Sequence, residues 1–206
     1  MQLVEQHAIK RSDPRYAAIA AAAFASKNLY NQITYHYRQA CIHEGFWLSY
    51  AEVFHRIKQL ACYRALPRKV SDSILIAVDT NWRSFRNALK AWRIDPSSFT
   101  GKPRIPRYKH KERGRNILIY DKQAQGLRAF KKTGTLVPSG LPIAIATRIT
   151  SLQIDQVRMV PGANGYVVEV VYQQEQAFAD VDPAMIAALD LGVRNPRLKT
   201  GGLQQG

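Results

Sequence analysis

From residue 14 to residue 94 the apolar positions repeat at helical spacing. Ile19, Ala23, Tyr30, Ile33, Tyr37 and Cys41 fall three, four or seven apart, which puts them on one face of a first helix. Ser12, Asp13 and Pro14 mark its start, with Ser12 or Asp13 as acceptor for the first N–H groups and Pro14 in the first turn. Gly45 is a stop signal. Ser49 and Glu52 have the spacing of a capping box, and Val53, Ile57 and Leu60 continue it into a short second helix that Pro67 ends. Leu75, Val78, Trp82, Phe85, Leu89 and Trp92 form the clearest seam, a third helix whose aromatics, Trp82 and Trp92 included, are assigned to the core.

Pro96 to Arg107 breaks this pattern, and from Asn116 the signal becomes that of strands. NILIY (116–120), TLV (135–137) and IAIAT (143–147) are short apolar runs. Leu152 and Ile154 share a face, but Val157 and Met159 lie on the opposite phase, so a bulge is expected between the two pairs. PGANG (161–165) reads as a turn, with positive φ available to Asn164 and Gly165. It joins the run 152–160 to YVVEVVY (166–172), the strongest strand signal in the chain. An acidic, proline-containing linker, 177–185, precedes the apolar run that ends in Asp190 and Gly192.

Composition narrows the function classes. The chain has 206 residues, 46% of them hydrophobic, which is a globular share and excludes wholesale disorder. Its formal charge is +15, which points to a polyanionic partner, nucleic acid before membrane. The run YAAIAAAAFA (16–25), preceded by Lys10, Arg11 and Arg15, mimics a signal peptide; the helix start before it and the pattern continuing past it favour a helix. Cys41 and Cys62 are too few and too far apart for a disulfide framework or a zinc site, and a reducing cytoplasm is expected.

The charge is concentrated. Residues 101–132 carry eleven Lys and Arg against two acids. Within GKPRIPRYKHKERGR (101–115) the candidate phosphate contacts are Lys102, Arg104, Arg107, Lys109, Lys111, Arg113 and Arg115, with Tyr108 as a candidate stacker on a base or sugar. The prolines hold this stretch extended. In ALDLGVRN (188–195), Asp190 ends an apolar strand, where an unpaired carboxylate is costly unless paired or bound to metal. Taken alone, this motif is also that of an ordinary turn.

Four segments in order carry a resemblance: YRALPRKVSDSILIAVDTNWRSFRNALKAW (63–92), KPRIPRYK (102–109), VVEVVY (167–172) and ALDLGVRNP (188–196). Together they resemble the TnpB (OrfB) family of transposon-encoded, RNA-guided endonucleases, relatives of the type V CRISPR effectors. The resemblance implies an α+β fold: an OB-like wedge β-barrel from residues 1–12 and 97–180, a helical recognition insert at 13–96, and the start of a RuvC (RNase H-like) nuclease domain at 185–206. It implies guide RNA and target DNA as partners, with neither a membrane nor a small-molecule substrate, in a prokaryotic cytoplasm near the nucleoid. It also makes Asp190 the first RuvC carboxylate, a ligand of Mg²⁺ in the family.

The chain departs from the family in two respects. Ala188 stands where the family has Gly, and the remaining carboxylates and CxxC pairs do not follow Asp190 within the 206 residues. Two-metal hydrolysis needs several carboxylates. The expectation is therefore a nucleic-acid-binding N-terminal portion, truncated early in RuvC and inactive by itself, with no metal bound. The alternative is a non-catalytic RNA- or DNA-binding regulator derived from such a nuclease. PRLKTGGLQQG (196–206) is poor in apolar side chains, and no second nuclease strand is expected there.

Overall fold

A computed structural model describes residues 1–125, 127–149 and 154–175, with the backbone alone for 127–129 and for two strands at 187–190 and 197–200. The fold is α+β. Strand β1 (Gln2–Lys10) leads into α1 (Tyr16–Gln39), which ends in a π-helical turn, Ala40–Glu44. Helices α2 (Tyr50–Ile57), α3 (Ala61–Arg64) and α4 (Arg68–Ile94) follow. After the basic loop come β2 (Leu118–Asp121), α5 (Leu127–Thr133), β3 (Thr135–Leu136), β4 (Ile145–Ala146), β5 (Ile154–Gly162) and β6 (Gly165–Gln173). These lie in one compact unit, Met1–Gln174, and a second unit, Glu175–Gly206, contains β7 (Ala187–Asp190) paired antiparallel with β8 (Arg197–Thr200).

The expected helix signals have their expected chemistry at several points. Gly45 takes φ +72° and closes the π turn. Ser49 Oγ accepts from the Glu52 N–H at 3.3 Å, and the Ser49 N–H donates to Glu52 Oε2 at 2.7 Å, a complete capping box. The start of α1 differs. Asp13 does not cap it: its carboxylate accepts from the Arg15 backbone N–H at 2.9 Å and holds the Arg15 guanidinium at 2.7 Å. The helix begins at Tyr16, two residues after Pro14, with Arg15 at its N-cap and no side-chain cap bond. Leu60 lies outside α2 and stands at the start of α3.

The seam of α4 buries Leu75, Val78 and Trp82, then opens, so that Phe85, Leu89 and Trp92 are half-buried. Trp82 lies stacked on Tyr37 of α1 at 5.3 Å, with Trp47 and Phe85 against its edges. Trp92 is not a core residue; Lys102 lies over its ring at 5.5 Å.

The main sheet is antiparallel, in the order β1-β6-β5-β2. β1 pairs along its whole length, from Gln2 opposite Gln173 to Lys10 opposite Gly165. The expected bulge is present, a register shift between Ile154 and Gln156. In the 161–165 turn positive φ falls on Gly165 alone. Helix α1 lies against β2, β5 and β6, and α4 against β2. One core cluster includes Ile9, Ile19, Ala23, Leu118, Met159, Val168 and Trp82, so helices and sheet share it.

A closed barrel, implied by the resemblance, is not found among the described residues. β1 and β2 are the two edges, and β3 and β4 pair only with each other over two residues. The described chain between β2 and β5 forms α5 and this short ribbon, so among the described residues no strand there is long enough to bridge the edges. Helix α5 falls where strands were expected, and β8 where no strand was expected. The 177–185 linker lies outside the described residues.

Candidate nucleic-acid interface

The basic loop has no regular structure over 102–110, where its prolines lie, turns tightly at 111–114, and runs along α1 in the opposite chain direction. Arg38 donates to the Pro106 carbonyl at 2.9 Å and Tyr30 to that of Arg107 at 3.2 Å. Asn31 both donates to the Lys109 carbonyl, at 2.9 Å, and accepts from the Lys109 N–H, at 2.8 Å. Lys27 donates to the Lys111 carbonyl at 2.5 Å. Ser26 then receives Asn116 Nδ2 at 3.0 Å and donates to the Ile117 carbonyl at 2.8 Å. As position falls from 38 to 26 on the helix, it rises from 106 to 117 on the loop. Polar side chains of the helix thus satisfy an extended backbone that no strand pairs.

This anchoring uses the loop's backbone and leaves five of its seven charged side chains exposed. Lys102, Arg104, Arg107, Lys111 and Arg113 are exposed. None of the loop's seven cations forms an ion pair among the described residues, whereas Arg15, Arg68, Arg83, Lys122 and Arg158 each have a carboxylate partner. Tyr108 is 45% exposed, with the Arg38 guanidinium 5.2 Å over its ring.

Two of the candidates are engaged in the fold. Lys109 is half-buried, lies over Tyr30 at 4.9 Å, and is held below the ordinary lysine pKa by burial. Arg115 is half-buried over Phe24 at 5.0 Å and donates to the carbonyls of Glu112, at 3.1 Å, and Gly114, at 2.8 Å.

Sequence reasoning placed Tyr30 on the apolar face of α1 and did not single out Lys27, Asn31 or Arg38. Their signal is a polar stripe, at four- and seven-residue spacing, beside the apolar face of α1. Lys27 is the most unusual of them. It is only 2% exposed and has a carbonyl and the Phe24 ring, 3.8 Å away, as its partners. Burial first, then the Arg115 and Lys111 charges, lowers its pKa. Lys27, Lys111 and Arg115 thus lie close enough for their charges to be felt by one another at this end of the loop.

Asp190 is the last residue of β7, and its register partner on β8 is Arg197. No group of three or more His, Cys, Asp or Glu among the described residues is arranged to hold a metal ion. Asp155 lies at the β5 bulge, held by Gln173, Gln2 and Lys122, and Glu169 pairs with Arg158 across the sheet. The described carboxylates therefore do not fit a two-metal site. Among the described residues, no helix is long and apolar enough to cross a membrane. No family model and no curated protein matches the chain.

Proposed function

We propose that this chain binds nucleic acid along the 102–115 loop, as the guide-RNA- and DNA-binding portion of a TnpB-like, transposon-associated endonuclease. The single observation that carries the binding is the set of unpaired cations on a loop whose backbone is fixed by α1. Cations spaced two or three residues apart on an extended chain reach successive phosphates of a strand. Because the loop is already ordered, little conformational entropy is lost when a strand is bound. On this reading the open sheet corresponds to the wedge platform, the helices to the recognition insert, and β7, ending in Asp190, to the start of RuvC. The further carboxylates that would hold Mg²⁺ beside Asp190 are not among the described residues.

The test is the affinity of the full chain for a single-stranded RNA oligonucleotide, by fluorescence anisotropy, with Lys102, Arg104 and Arg107 replaced together by Ala. The reading expects a loss of tenfold or more. Replacing the exposed Lys131 and Lys132 by Ala, outside the loop, should change it little. Equal losses in both variants would show that only total charge matters, and would overturn the assignment to the loop.

A further inference from the structure

At its C-terminal end the basic loop becomes one wall of a cleft of about 410 Å³, lined by Arg11, Tyr16, Glu112, Arg113, Arg115, Tyr166 and the 161–165 turn. Three different parts of the chain are locked together to make it. β1 stays paired up to Lys10, opposite Gly165, so Arg11 emerges directly beside the hairpin turn. A Cβ at Gly165 would run into the Ile9 carbonyl oxygen, so the hairpin closes against β1 only with glycine there. On the loop side, the Gly114 N–H donates to the His110 carbonyl at 3.0 Å, and the Glu112 and Arg113 N–H groups donate to His110 Nδ1 at 3.2 and 3.1 Å. A Cβ at Gly114 would collide with the His110 backbone. This tight turn sets Arg113 and Arg115 on either side of Gly114.

The floor is aromatic. Tyr166 is 5% exposed, and half-buried Tyr16 packs on it at 5.6 Å with the rings tilted by 52°. Three arginines and one carboxylate residue, Glu112, line the cleft, and no ion pair joins them among the described residues. Arg115 is fixed by the turn carbonyls, while Arg11 and Arg113 are exposed and have their donors free for a ligand. A guanidinium fork matches the oxygens of a phosphate, and a tyrosine face matches a base. The volume lies within the range of small-ligand clefts and is too small for a duplex.

We propose that this cleft holds one nucleotide of a bound strand, its phosphate against Arg11 and Arg113 and its base against Tyr16. The proposal rests on the nucleic-acid reading above and adds to it a defined end to the strand's path along the loop. It is tested on the full chain by titrating adenosine monophosphate, and separately adenosine and inorganic phosphate, while following the Tyr16 and Gly165 amide signals by NMR. The expected result is a shift of these signals by the monophosphate, with adenosine and inorganic phosphate each at least tenfold weaker. Arg113→Ala should weaken the monophosphate at least tenfold, and Lys131→Ala, outside the loop and the cleft, should leave it unchanged. No shift at these amides, inorganic phosphate binding as well as the nucleotide, or an unaffected Arg113→Ala would overturn the proposal. A chain that binds an RNA oligonucleotide but ignores the monophosphate loses the cleft alone. A chain that binds neither loses the nucleic-acid reading as well. Monophosphate binding with no oligonucleotide binding removes the strand and also overturns the proposal as stated.

Discussion

Asn31 is the side chain through which the helix fixes the loop most directly, since it satisfies both backbone groups of Lys109. Asn31→Ala leaves those groups to water or unpaired, at a cost of about 1–3 kcal/mol if they stay buried. The Lys109 amide should then exchange with solvent tenfold faster or more, as measured by hydrogen-exchange NMR, while the β6 amides keep their protection. At the centre of the helices, Trp82 is fully buried against Tyr37, and the Tyr37 hydroxyl donates to Asp79 at 2.6 Å. Arg83 pairs with the same carboxylate. Trp82→Ala should cost about 3–5 kcal/mol in urea denaturation, because the rings around it cannot fully collapse into the space left. A loss below about 1 kcal/mol would show that Trp82 is not the centre of the helical packing.

Element boundaries carry the acid sensitivity of the fold. Asp13, before α1, has its pKa lowered from 3.8 to about 2, first by the side-chain hydrogen bond from Arg15. Glu52 in the capping box, Asp95 before the Pro96–Ser98 turn and Asp155 at the bulge are shifted downward too, by hydrogen bonds from Ser49, Ser97 and Gln173 respectively. In each case the folded state gives up its proton more readily than the unfolded state. The stability these groups contribute is complete above their ordinary pKa values and is lost as pH falls through the lowered ones. The melting temperature should therefore drop between about pH 4 and pH 2, and Asp13→Asn should make that drop shallower.

The same elements show why part of the fold was legible and part was not. The long helices and the β5–β6 hairpin have dense patterns, and even the bulge at Asp155 is written as a phase change between Ile154 and Val157. Helix α5, LRAFKKT, is too short and basic to show a period, and RLKT of β8 offers only one aliphatic side chain. The loop cations were visible from their density alone. The hydrogen bonds that hold the loop were not, because their partners on the loop are mostly backbone groups, which carry no sequence signal.

At the scale of the whole molecule, one core joins the helices to the sheet in Met1–Gln174. That unit should unfold in a single transition. Tryptophan fluorescence, which reports Trp47, Trp82 and Trp92 in the helical part, should follow the same urea curve as the circular dichroism of the whole chain. Two separate curves would make the helices an independent unit. The loop lies across this joint, its backbone held by α1 and continuing into β2, and its exposed cations form a charged edge. The central claim is that Lys102, Arg104, Arg107, Lys111 and Arg113 neutralise phosphates. The most direct measurement of it is the salt dependence of RNA binding. Five contacts to a single strand predict that log K falls with log[salt] at a slope of about −3.5, from about −0.7 per phosphate. Replacing Lys102, Arg104 and Arg107 by Ala should reduce the slope by about 2. A flat dependence, or a slope that the triple replacement leaves unchanged, would contradict the account.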